Sequence, residues 1–98
     1  MPRIRTHPGE YLSEEYLKPL KLSAADLAEA IGVPPARIAE IVRGQQGVSA
    51  DTALRLGRYF RTTPHFWITL QAGYDLSKAA AEIDLTSIEP RSLEAAET

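Results

Sequence analysis

The amino-acid sequence predicts an all-α domain of five helices. Apolar residues recur at helical spacing along most of the chain, and prolines and glycines fall where those runs start and stop. No stretch of alternating β-branched residues competes with that pattern. With 98 residues the chain forms one domain at most. A domain of this size buries roughly 60–65 % of its unfolded surface, enough for one modest core.

The first helix is expected in HPGEYLSEEYLKPL. Leu12, Tyr16 and Leu20 share a face there, Pro8 stands near the start, and Pro19 ends or bends the helix. In LSAADLAEAIG, Ser23 and Asp26 have the spacing of a capping box with a shortened acid. Leu27, Ala28 and Ile31 form the apolar face, and Gly32 is the natural stop. A third helix carries Ile38, Ile41 and Val42 on one side and ends by Gly44. After the loop QQGV, Ser49 caps a fourth helix, ADTALRLGRYF. Asp51 lies in its first turn, and Ala53, Leu56, Gly57 and Phe60 form a stripe. Thr63–Pro64 announces a fifth, HFWITLQAGYDLSKAA, with Phe66, Trp67, Leu70 and Tyr74 on or near one face. Residues 1–80 thus form the domain and residues 81–98 a short C-terminal tail. Ile83, Leu85 and Ile88 are too sparse for a second core, so the tail is either frayed or folds on a partner.

Composition narrows the function. The net charge is −2, but residues 1–61 hold nine basic against seven acidic side chains, and residues 62–98 hold two against six. Any polyanion should therefore meet the front half. No cysteine is present, which removes disulfides and thiolate metal sites and suits a reducing cytoplasm. No apolar run reaches the ~18 residues of a membrane span. No catalytic signature appears: His7 and His65 each neighbour a proline at a presumed helix start, and Glu14 and Glu15 lie on a polar face. Neither an enzyme nor a cofactor or metal is expected.

The informative stretch runs from Ser23 to Arg43: a helix of barely two turns, a tight linker, and a second short helix. Small residues at Ala28 and Gly32 suit a steep crossing. This is the pattern of a helix-turn-helix, whose second helix enters the major groove of DNA.

The blocks HPGEYL, LSAADLAEAIGVPPARIAEIVRGQQGVSADTALRLGRYF and TPHFWITLQAGYDL also resemble, in order, the HigA-type antitoxins. That group lies within the Xre/Cro-like helix-turn-helix proteins and includes plasmid-maintenance antidotes; the likeness covers roughly residues 7–77. It implies a bacterial antitoxin that binds a small HigB-like, mRNA-cleaving toxin. It also implies repression of its own operon by a homodimer on a palindromic operator.

Burial of Ile38, Ile41 and Val42 should turn Ala36, Arg37, Glu40 and Arg43 outward. Arg37 is the candidate base reader, because a guanidinium donates two parallel hydrogen bonds to a guanine edge. Glu40 is placed either to accept from cytosine or to restrain Arg37 or Arg43, and Arg43 suits a phosphate. Ala36 offers only a methyl for thymine, and Pro34 and Pro35 shape the turn without reading. Gln45, Gln46, Ser49 and Thr52 are candidate backbone contacts or ordinary loop and capping residues. Ala24 and Ala25 stand where many relatives carry glutamine, so a phosphate anchor is missing. Phe66, Trp67, Ile68, Leu70 and Tyr74 supply more apolar bulk than one core face needs, and Phe66, Trp67, Leu70 and Tyr74 are the interface candidates. They point either to a two-fold interface or to the monomer core. Two other functions fit the sequence: a toxin-binding module with weak or lost DNA binding, and a solitary regulator without a toxin.

Overall fold

The computed structural model describes residues 4–93. Five helices follow one another, and no strand occurs among the described residues. Helix α1 is continuous but of three parts, Pro8–Leu12, a π-helical segment Ser13–Leu17, and a last turn Lys18–Leu20. Helices α2 (Ala24–Ile31), α3 (Pro35–Val42), α4 (Ala50–Phe60) and α5 (Pro64–Glu82) complete the fold.

The π-helical segment has a local cause and a consequence for packing. Proline inside a helix has no N–H to give and presses its ring on the carbonyl four residues back. Just before Pro19 the chain widens instead, and the Lys18 N–H donates to the Ser13 carbonyl, five residues back. The wide turn shifts the apolar face by one position. Leu17 is buried while Leu20 is 56 % exposed, so the expected Leu12–Tyr16–Leu20 face becomes Leu12–Leu17, with Tyr16 half-buried at its edge.

The remaining boundaries follow local chemistry. Ser23 and Asp26 form a complete capping box: the Asp26 N–H donates to Ser23 Oγ at 3.0 Å and the Ser23 N–H donates to Asp26 Oδ2 at 3.2 Å. Ser49 and Thr63 cap α4 and α5 through the N–H groups of Thr52 and Phe66. His7 caps α1, its Nδ1 accepting from the Gly9 N–H at 2.9 Å.

One core joins the five helices: Leu12, Leu17, Leu27, Ala28, Ile31, Val33, Ile38, Ile41, Val48, Ala53, Leu56 and Trp67. Trp67 is fully buried and donates through Nε1 to Thr62 Oγ1 at 2.8 Å, which satisfies its polar atom. Around it pack Tyr11, Tyr16 and Phe66, and Tyr16 continues to Phe60 at 4.4 Å between ring centres. On the other side of α1, Gly9 lies against the end of α3. A Cβ there would overlap the Ile41 carbonyl oxygen, so only glycine lets the two backbones meet.

Helix α5 runs two residues past the expected domain end, to Glu82. Beyond it Asp84 accepts from both the N–H and the hydroxyl of Thr86, which hold its carboxyl below the usual range. Ile83 and Leu85 alternate in the sequence as strand residues do, but they form no strand and both side chains are exposed. Residues 94–98 of the expected tail lie outside the described residues.

Candidate nucleic-acid interface

The α2–turn–α3 unit is set by its turn. Gly32 ends α2 at φ 74°, a left-handed conformation that favours glycine. Val33 then points back into the core, its N–H donating to the Ala28 carbonyl at 3.0 Å. Pro34 and Pro35 start α3 without a side-chain cap. On α3, Ile38 and Ile41 are fully buried, which turns Ala36 and Arg43 to solvent and leaves Arg37 and Glu40 half-buried.

Both arginines of this face are held by neighbouring side chains. Arg37 Nη1 donates to Asp51 Oδ2 at 3.3 Å, bridging the first turns of α3 and α4. Asp51 also accepts from Arg55 Nε, at 3.2 Å to each oxygen. Arg55 Nη1 reaches on to the Ile31 carbonyl at 2.7 Å and the Gly32 carbonyl at 3.3 Å, covering the open end of α2. Arg43 Nε donates to Gln45 Oε1 at 3.2 Å. The Glu40 main-chain carbonyl accepts from the N–H groups of Gln45 and Gln46, folding the loop tightly under the helix.

The loop candidates divide. Gln45, Gln46 and Ser49 are exposed, but Thr52 is 1 % exposed and its hydroxyl accepts from Ser49 Oγ at 3.2 Å. Its side chain belongs to the core and cannot meet DNA, because position 52 falls on the inner face of α4. The loop is anchored from outside by a residue the sequence reading missed. Val48 is buried and its N–H donates to Gln71 Oε1 at 2.8 Å, while Gln71 Nε2 donates to Asp75. A polar residue among the apolar positions of α5 was the available signal.

On α5 the interface candidates turn inward. Trp67 is wholly inside the chain's own core, and Phe66, Leu70 and Tyr74 are half-buried. Tyr74 meets the His7 ring edge-on at 4.8 Å. The uncovered side of α5 carries Ile68, from the same apolar cluster, together with Ala72 and Leu76 at four-residue spacing, with Leu76 71 % exposed. That spacing is legible in the sequence; which of two apolar faces turns inward is not. Among the described residues no helix is long and apolar enough to cross a membrane, and no cluster of three His, Asp or Glu side chains could hold a metal ion.

A short helix ended by a left-handed glycine, a turn pinned by one buried valine, and a second helix with an exposed polar side define a helix-turn-helix domain. The family model described as helix-turn-helix matches residues 14–67, and the chain belongs to that family. It is 58 % identical over 79 residues to virulence-associated protein I of Dichelobacter nodosus, spanning 81 % of this chain and 71 % of that one. A Pseudomonas aeruginosa protein in complex with its 18-bp operator DNA superposes with a TM-score of 0.84 at 44 % identity, over 89 % of this chain and 97 % of that one. The antitoxin HigA of Pseudomonas aeruginosa, solved with its higBA promoter, superposes with a TM-score of 0.77 at 42 % identity, over 88 % and 99 % of the two chains.

Proposed function

We propose that this chain is the antitoxin of a toxin–antitoxin pair, which binds a HigB-like, mRNA-cleaving toxin in the cytoplasm. It represses its own operon as a homodimer on a palindromic operator. The observation that carries the reading is the exposed side of α3 on a scaffold that, in similar proteins, is seen on operator and promoter DNA. Arg37 reads a base, with Glu40 beside it and the Ala36 methyl available to a thymine. Arg43, Gln45, Gln46 and Ser49 line the phosphate-facing margin. The exposed Ile68–Ala72–Leu76 face of α5 joins two copies, which sets two α3 helices about one DNA turn (~34 Å) apart or a multiple of it. The acidic rear half suits a basic toxin.

The test is binding of the purified protein to its own promoter and to a scrambled duplex of equal length, at several salt concentrations. Preference for the promoter is expected, and Arg37→Ala should lower that preference by about 1–3 kcal/mol. Equal affinity for both duplexes would overturn the repressor reading. Co-purification with the product of a small neighbouring reading frame tests the toxin half.

A further inference from the structure

We propose that Asp51 is a positioning residue for Arg37 and thereby sets how well this face tells its operator from other DNA. The inference rests on the reading of Arg37 as a base contact. One carboxylate at the start of α4 accepts from two arginines: Arg37 on α3 at 3.3 Å, and Arg55 on its own helix at 3.2 Å. Arg55 is itself fastened to the Ile31 and Gly32 carbonyls, so the Arg37 guanidinium is referred, through two side chains, to the turn of the helix-turn-helix.

The pair contributes little to folding, since the side chains are 39 % and 57 % exposed and water screens them. Its effect is on order and on charge. An arginine on α3 has many rotamers to lose when it enters the groove, and a carboxylate that already holds one arm removes part of that loss. Among the described residues only Nη1 is engaged, which leaves Nε and Nη2 to donate to a base edge. The same carboxylate is a negative charge placed on the face that would meet phosphates. It lowers affinity for every duplex, and only a sequence that gives Arg37 its acceptors compensates. Specificity is a difference of affinities, and a repulsive element raises it.

The experiment compares Asp51→Asn, Arg37→Ala and the double variant on promoter and scrambled duplexes across a salt series. Asparagine keeps the shape and removes the charge, and thermal unfolding checks the fold. Asp51→Asn is expected to bind scrambled DNA more tightly, with a steeper salt dependence. The promoter-to-scrambled ratio should fall by about fivefold, the upper range for an exposed charge pair. In the Arg37→Ala background the ratio should no longer respond to Asp51→Asn. Asp51→Glu, which restores the charge, should recover most of the ratio. An unchanged ratio in Asp51→Asn, or an equal fall with and without Arg37, would overturn the proposal while leaving Arg37 as a reader. If Arg37→Ala alone leaves the ratio intact, the base-contact reading fails and this inference fails with it.

Discussion

Helices α3 and α5 face solvent in opposite ways. On α3, Arg37 and Arg43 are held by neighbouring side chains, and the helix ends are fastened by Gly9 at one side and the Arg55 relay at the other. On α5 the inner face is sealed by the aromatic cluster around Trp67, while Ile68, Ala72 and Leu76 on the outer face are exposed. A polar face that is pre-ordered costs little to dock on a rigid duplex. An apolar face left open is instead the kind of surface that marks contact with another molecule. Gln71 connects the two, since it fastens the loop after α3 to the body of α5.

The sharpest break in this contrast is Gly9→Ala. The new methyl would overlap the Ile41 carbonyl, whose main chain cannot yield as a side-chain end would, so α1 must leave α3. Overpacking usually costs about 1–3 kcal/mol, and here the backbone position puts the expected loss at or above ~3 kcal/mol. A chemical-denaturation midpoint measures it, and a shift equivalent to less than ~1 kcal/mol would show that the helices separate freely.

Leu76→Glu probes the other side. Because Leu76 is 71 % exposed, the monomer's own stability should change by no more than ~0.5 kcal/mol. Self-association measured by sedimentation should weaken by at least about tenfold, from a charge placed in an apolar interface. A dimer as tight as the unmodified protein's would place the two-fold surface elsewhere.

The smallest effect concerns His7, where α1 begins beside both helices. Burial, opposed by the Asp75 carboxylate and reinforced by Lys78, holds its imidazole below the ordinary histidine value of 6.5. The neutral ring accepts from Gly9, and a protonated Nδ1 cannot. Since the unfolded chain binds the proton more readily, the cap's contribution is present above pH 6.5 and is lost as the pH falls through the lower folded value. Its size is bounded by that of an N-cap, about 1 kcal/mol. His7→Asn, which caps without titrating, should flatten this part of a stability–pH curve. An unaltered slope would assign the dependence to another group.

Local chemistry was legible in the sequence. Ser23, Ser49, Thr63 and Gly32 act within four residues of themselves, and each does in the fold what its neighbours imply. Longer relations were not legible. The helical period assigns Leu20 to the core because it cannot include a wide turn, and Leu17 takes the place. Thr52 looks like a phosphate-facing residue at the start of α4 until the pitch of that helix turns it inward. Arg37 meets Asp51 fourteen positions away, a pairing that exists only after α3 and α4 have packed. On α5, apolar residues on both sides leave the period ambiguous, and only the packed aromatic cluster decides that Trp67 is interior.

The wide turn in α1 also bears on chain length. A segment that accommodates one surplus residue between Leu12 and Leu17 is where an insertion or deletion of a single position leaves both anchors in place. A variant of this chain with one residue removed from that segment should therefore keep Leu12 and Leu17 inward on an ordinary α-turn.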